Sequence, residues 1–311
     1  MLFYRRKPRI DRPKIVMTLL VRDEADVIDL FIRYHIRAGI DALVVTDNGS
    51  SDGTRDILEH HLRAGAVTEI IDEPTHVFDQ PRFVDRMILR ARDYYGADYC
   101  INSDADEFWY TASGSLRHEI SLNQTNRIYC PSFYMLPAQG QDFWQATDRC
   151  VKRADPRKFG VTKYYNLFDK PMHKAIHRTQ GYRMIDPGNH GLEMEDDFPL
   201  PGNVLNRLRS SLRYKYSVRS KAIWIYHYSI RSVQQFKKKI LQNGAALEAN
   251  NNSVERDASH WRYLYRGCQA NTLDLEAEFY KVTGAANIEL LRKAGIVVSD
   301  ATMKDTLAAF H

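Results

Sequence analysis

Residues 15–24 read Ile15-Val16-Met17-Thr18-Leu19-Leu20-Val21-Arg22-Asp23-Glu24, and the break at Arg22 decides how the N-terminal part of the chain is read. The run 15–21 is short, apolar and rich in β-branched residues, which suits a strand buried on both faces. Charge then arrives abruptly, and Val27, Leu30, Phe31, Tyr34 and Ala38 recur at the spacing of an amphipathic helix. Asp23 is the expected N-cap of that helix, and Gly39 stands where a C-cap belongs. A second buried strand, Ala42-Leu43-Val44-Val45-Thr46, runs into Asp47-Asn48-Gly49-Ser50-Ser51-Asp52-Gly53-Thr54, where Ser51 or Asp52 is positioned to cap the next helix. Val67 to Ile71 reads as a third strand.

The alternation continues. Asp79 is placed to cap a helix with Pro81 in its first turn and an apolar face of Phe83, Val84, Met87, Ile88 and Ala91. Tyr99-Cys100-Ile101-Asn102-Ser103 is a further strand, and it leads directly into Asp104-Ala105-Asp106-Glu107. Strand–helix repetition with short connections predicts an α/β sandwich on a mostly parallel sheet. In such sheets ligands sit beyond the carboxyl ends of the strands. The polar loops at Arg22, Asp47 and Asp104 all follow such ends. The later chain is less regular, with β-like stretches at 128–136 and 174–185, a strand-like run at 222–228, and helical patterns at 232–249 and 272–281.

Composition sets the outer bounds. The chain has 311 residues with 44% hydrophobic content, enough for a real core, so wholesale disorder is excluded. No stretch approaches the roughly 18 uncharged apolar residues of a membrane span, and the start MLFYRRKPRI lacks the apolar run of a secretory signal. Four cysteines (Cys100, Cys130, Cys150, Cys268) form no CxxC pair. A reducing, cytoplasmic setting is the expectation. Lys and Arg number 44 against 39 Asp and Glu, a net +5 that is compatible with anionic ligands and too small to argue for nucleic acid.

Asp104 and Asp106 are the strongest chemical signal. At a strand end both carboxylates can reach one cation, and two hard oxygens suit Mg²⁺ or Mn²⁺, which take further ligands from substrate phosphates. A solvated acidic turn or a helix cap is the bland alternative, and the position after a buried strand weighs against it. Asp47, at the end of its strand, is a candidate acceptor of hydrogen bonds from a base or ribose.

Three stretches in this order, LLVRDEADVIDLFIRYHIRAGID, VVTDNGSSDGT and ADYCINSDADEF, resemble the family 2 type of GT-A-fold nucleotide-diphospho-sugar glycosyltransferases. KAIWIYHYSIRSVQQFKKKI, from residue 221, resembles a later segment of such proteins with lower specificity. The resemblance implies a Rossmann-like GT-A domain over 12–232, with 233–311 a C-terminal helical extension. It implies a UDP- or GDP-sugar donor contacted by Glu24, Asp47, Ser51, Asp104 and Ala105. A divalent ion, Mn²⁺ or Mg²⁺, would sit on Asp104 and Asp106, bridging the diphosphate and stabilising the departing nucleoside diphosphate. Asp23-Glu24 stands where the family has an asparagine–glutamate pair. His190 and His227 compete as a third metal ligand, while His35, one turn after Phe31, reads as structural.

Family 2 transfer is inverting and needs a general base for the acceptor hydroxyl. Glu195, Asp196 and Asp197 are the candidates, Asp196 first. The acceptor implied is a growing polysaccharide or a glycolipid headgroup. The basic stretch 207–221 has three readings: a solvated face, a diphosphate contact, or a peripheral contact with an anionic membrane. Arg231 and Lys239 are further candidate phosphate contacts. Two other classes compete. A sugar nucleotidyltransferase would carry a Gly-rich basic loop after the first strand, where this chain has Arg22-Asp23-Glu24-Ala25. A non-catalytic carbohydrate-binding scaffold need not keep the Asp104/Asp106 pair intact.

Overall fold

The apolar run after Lys14 becomes β1 (Ile15–Val21), buried throughout except for half-buried Leu20. β1 lies parallel to β2 (Ala42–Asp47) on one side and to β4 (Tyr99–Ser103) on the other, with Leu19 opposite Val45 and Ser103. β3 (Glu69–Asp72) extends the parallel set beside β2. The computed structural model describes residues 9–73, 79–137, 140–153, 155, 158, 172–186, 191–195, 217–249 and 259–311.

Strand alternation divides the core in two. Ile15, Met17 and Leu19 face a cluster that includes Phe31 and Tyr34 of α1 (Ile28–Arg37), whereas Val16 faces Val84, Met87, Ile88 and Ala91 of α3 (Gln80–Asp93). The apolar face expected for α3 is the face that is buried. α2 (Thr54–Arg63) joins β2 to β3. This is the α/β sandwich expected of a GT-A-type chain, and its parallel half carries the three loops singled out above.

The other half of the sheet is largely antiparallel. β6 (Arg127–Leu136) pairs with β7 (Asp148–Cys150) and β8 (Met172–Arg178), and β8 pairs with β4. β5 (Glu107–Thr111) leaves the β4 turn and pairs antiparallel with β12 (Ile223–His227), which also lies parallel to β6. β11 (Ser217–Arg219) adds to β6, and β9 (Tyr182–Ile185) with β10 (Leu192–Met194) forms a hairpin against α3. α4 (Leu116–Leu122) is capped by Ser115, which accepts from His118 N–H.

Residues past 232 form α5 (Val233–Ala249), α6 (Ser259–Gln269), α7 (Leu275–Thr283), α8 (Ala285–Lys293) and α9 (Thr302–Leu307), with β13 (Val297–Ser299) on the outer edge of β7. Phe236 and Ile240 of α5 pack with Leu264, Leu275 and Phe279 against Leu136 and Cys150 of the sheet. That apolar contact fixes α5 beside the carboxyl end of β4. No helix among the described residues is long and apolar enough to cross a membrane.

Two cap expectations differ from what is observed. α1 begins at Ile28 after a turn in which Val27 and Ile28 N–H donate to Glu24 O, so Asp23 lies outside the helix in the left-handed region at φ 57°. α2 begins after Gly53, and Asp52 accepts from Thr54 N–H and Oγ1 while Ser51 points elsewhere. In each case the polar side chain finds a partner on a neighbouring loop, which outweighs a helix-cap bond.

His35 is structural. Its Nδ1 meets Phe31 O at 2.9 Å and its Nε2 accepts Trp109 N–H at 3.2 Å, so the neutral ring joins α1 to β5. Burial holds the imidazole pKa down to about 3, and burial likewise holds His177 down to about 4. The unfolded chain therefore binds more protons than the native one between those values and about 6.5, and stability falls as pH drops through that window. Replacing His35 by Gln is expected to reduce the slope of unfolding free energy between about pH 6 and about pH 4.5 by up to about 1.4 kcal/mol per pH unit. Urea titrations at the two ends of the window measure it, and an unchanged slope would show that His35 titrates normally.

Candidate functional site

The turn Asp104-Ala105-Asp106-Glu107 closes on itself. Asp104 N–H donates to Glu107 Oε2 at 3.1 Å, and Glu107 N–H donates to Asp104 O at 3.2 Å. β5 leaves this turn, and its register with β12 sets His227 opposite Glu107. Tyr228 N–H then donates to Asp106 O at 2.8 Å. Sheet pairing thus brings the acidic turn to the Tyr226-His227-Tyr228 segment. His227 Nε2 lies 3.3 Å from Asp106 Oδ1, and its Nδ1 lies 3.6 Å from Glu107 Oε1.

Three cations answer the buried carboxylates. Lys174 of β8, buried, reaches Glu107 at 2.6 Å and Asp104 at 2.9 Å. Arg231, just past β12, donates twice to Asp26 at 2.7 and 2.8 Å, also to Glu24, and to Asp106 at 3.4 Å. Lys239 of α5 donates to Asp106 Oδ2 at 2.9 Å. Burial opposes the charge on Asp106, yet Lys239, His227 and Arg231 hold its carboxyl well below the usual carboxylate range. Burial also opposes the charge on Asp104, and Lys174 outweighs it. Glu24 and Glu107 are raised, because burial dominates there despite Arg231 and Lys174. Burial works against a charged His227 ring, and Asp106 together with Glu107 raises its pKa nonetheless.

A cavity of about 230 Å³ opens above this cluster. Its walls include Glu24, Asn48, Asp104, Ala105, Asp106, His227 and one face of α5. Gln235, Lys238, Lys239, Gln242 and Ala246 line it at helical spacing, and Phe236 and Ile240, which border it as well, pack into the apolar cluster behind. Arg22 Nε, Asn48 Oδ1 and Ser229 Oγ, on residues lining the cavity, are buried without a protein hydrogen-bond partner.

The polar loop after β2 is used mainly within the protein. Ser50 Oγ accepts Asp23 N–H at 3.0 Å, Thr54 Oγ1 accepts Glu24 N–H at 2.8 Å, and Asp52 accepts Ala25 N–H at 3.3 Å. Ser51 N–H donates to Asp23 Oδ1 at 2.7 Å, so exposed Ser51 braces the β1 loop. Asp47 is buried and accepts Ser50 N–H at 3.0 Å, with Arg55 at 3.7 Å. Asp23 also accepts from Gln242, which ties α5 to the β1 loop.

Glu195 directly follows β10. It is exposed, its N–H donates to Gly181 O at 2.7 Å, and its charge acts on Arg92 near the far end of α3. Gln80, at the start of α3, lines the cavity; at about 1.5 Å rise per residue Arg92 stands about 18 Å along the helix from it. The β9–β10 hairpin lies along α3, with Ile185 N–H donating to Asp85 Oδ1 at 2.9 Å. His190, Asp196, Asp197 and 207–216 lie outside the described residues. Of the remaining basic stretch, Arg219 and Lys221 are exposed.

Lys174 and Asp26 were not singled out by sequence reasoning. The available signal for Lys174 was a lone lysine ahead of the apolar pair Ala175-Ile176 in a β-like run, where a buried ammonium demands acidic partners.

No family model matches the chain, and no curated protein sequence matches it. Solved structures similar in backbone arrangement include TarS of S. aureus, at 13% identity and TM-score 0.39 over 83% of this chain and 43% of that one. A structure of TarS 1-349 with UDP gives 12% identity and TM-score 0.38, over 89% of this chain and 83% of that one. Glucosyl-3-phosphoglycerate synthase from Mycobacterium tuberculosis, with Mn²⁺, UDP and glucosyl-3-phosphoglycerate, gives 14% identity and TM-score 0.35, over 78% and 82%. The chain spans less than half the length of the first TarS structure. The chemistry assigned below comes from this chain's own side chains.

Arg231 is the structural centre of the cluster. Arg231→Met leaves Glu24, Asp26 and Asp106 without their shared cation and is expected to destabilise the fold by about 3–5 kcal/mol. Arg231→Lys should restore only part of this, because an ammonium cannot span Asp26 in a fork while reaching the other two. Denaturant unfolding of the two variants checks the order, and equal stability of wild type and Arg231→Met would refute it.

Proposed function

We propose that the chain is a GT-A-type, family 2-like glycosyltransferase that moves a sugar from a UDP- or GDP-sugar to a hydroxyl acceptor with the help of Mn²⁺ or Mg²⁺. The observation that carries this is the meeting of Glu24, Asp104, Asp106 and His227, from the ends of β1, β4 and β12, at one cavity with buried polar atoms lacking protein partners. The acidic, glycine-free β1 loop disfavours nucleotidyl transfer.

The residues present fit a divalent ion. Asp106 and His227 offer a carboxylate and an imidazole, and Asp104 adds a second carboxylate whose Oδ2 is bound by Lys174. Among the described residues no group of three His, Cys, Asp or Glu side chains is arranged to hold a metal ion, so an ion here would take most of its shell from substrate phosphate and water. When bound, the ion would neutralise charge on the departing nucleoside diphosphate.

The chain's own groups divide the remaining work. Asp106 and His227 would hold the ion, and Lys174 and Arg231 keep Asp104 and Asp106 charged and in place. Asn48 and the β1 loop receive the nucleoside, with Asp47 holding the Ser50 turn beneath it. Lys238 and Lys239 on α5 face the diphosphate. The acceptor is a carbohydrate or the headgroup of a glycolipid, as in polysaccharide or glycolipid assembly, and exposed Arg219 and Lys221 suit a peripheral contact with an anionic surface.

Asp106→Asn keeps the shape of the turn and removes its charge. It is expected to lower Mn²⁺-dependent release of UDP or GDP from a panel of nucleotide sugars by at least about 100-fold while leaving the circular dichroism spectrum unchanged. Turnover at the wild-type level in that variant would refute the assignment. A wild-type protein that releases neither nucleotide from any donor, and whose melting temperature neither nucleotide moves, would support a binding scaffold instead.

A further inference from the structure

The three cations at the acidic turn are not equivalent. The Lys174 side chain is 3% exposed and shared by Asp104 and Glu107. The Arg231 side chain is 1% exposed and shared by Glu24, Asp26 and Asp106. Both are locked by more than one carboxylate. The Lys239 side chain is 24% exposed, lines the cavity and donates to Asp106 Oδ2 alone. Its helix is fixed from behind by Phe236 and Ile240, and from the side by Lys238, which is tied to Asp52 at 3.0 Å. The backbone is therefore anchored, and only the four-carbon arm of Lys239 is free to swing.

We propose that Lys239 is an exchangeable placeholder: its ammonium stands on Asp106 in the free protein and moves onto the donor diphosphate when a divalent ion takes that carboxylate. The inference rests on the metal reading given above and concerns the order in which the site fills. Lys239 reaches Asp106 Oδ2 from the cavity side, so an ion that takes this oxygen from the cavity competes with the ammonium for it. Without a diphosphate the displaced ammonium loses its hydrogen bond to Asp106 and keeps only the charge of Glu24, which Arg231 already holds, so metal binding is opposed. With a diphosphate it gains an anionic partner, so each ligand promotes the other, and the coupling is reciprocal. Lys174 stays on Asp104 and Arg231 stays on Glu24, Asp26 and Asp106 throughout.

The test measures Mn²⁺ binding by the loss of its paramagnetic resonance signal, with and without UDP and against UDP without protein. Wild type, Lys239→Met, Lys239→Gln and Asp106→Asn are compared after their melting temperatures have confirmed folding. UDP is expected to raise wild-type Mn²⁺ affinity by about tenfold or more. Lys239→Met should bind Mn²⁺ alone about tenfold more tightly than wild type and show little further gain with UDP. Lys239→Gln, which keeps a donor and loses the charge, should follow it. Asp106→Asn should bind the ion weakly in both conditions. Mn²⁺ affinity without UDP that is unchanged or weaker in both Lys239 variants would overturn the placeholder role while Asp106→Asn still reports the metal site. Absence of bound Mn²⁺ in all four proteins, even with UDP, would overturn the metal reading and this inference with it.

Discussion

A buried guanidinium holds this site together. Arg231 bridges Glu24 and Asp26 from the turn after β1, Asp106 from the turn after β4, and the carbonyl of Tyr228 past the end of β12. These segments are far apart in the chain and carry acids that would repel one another at close range. A single planar cation with several fixed donors can satisfy them together, which an ammonium cannot. Lys174 performs a narrower version of the same task beneath Asp104 and Glu107.

Sheet pairing supplies the second constraint. β5 follows the acidic turn without a break and pairs with β12, so one register brings His227 to Glu107 and Tyr228 to Asp106. A slip of one residue would turn His227 to the opposite face of the strand and separate it from Asp106. The antiparallel half of the sheet, with α5 packed behind it, thus completes a site that the parallel half begins. The loops after β1 and β2 are coupled in the same spirit, through bonds from Ser50, Ser51, Asp52 and Thr54 to residues 23–25.

Charge at this site is distributed between locked and open groups. Two cations are enclosed by several acids and set the background field, and one lies at the cavity wall on a flexible arm. This division holds the Asp104 and Asp106 carboxyls below the usual range while Asp106 is reached from the cavity. The cavity itself carries both signs, with Asp23, Glu24, Asp104 and Asp106 beside Arg22, Lys238 and Lys239.

The sequence by itself determined the parallel half of the fold, because buried strands and amphipathic helices are local periodic patterns that one chain segment carries alone. Runs such as 15–21 and 99–103, and the face Phe83–Ala91, were legible for that reason. The Asp104/Asp106 pair was legible because a strand end is a local feature too. Tertiary structure alone decided which distant groups meet those carboxylates: Lys174, Asp26 and the wall of α5 are joined to them by non-local pairing and packing. It also decided that Asp23 and Ser51 brace loops instead of capping helices. Those outcomes depend on which partners lie within hydrogen-bond reach, a quantity that spacing along the chain does not contain.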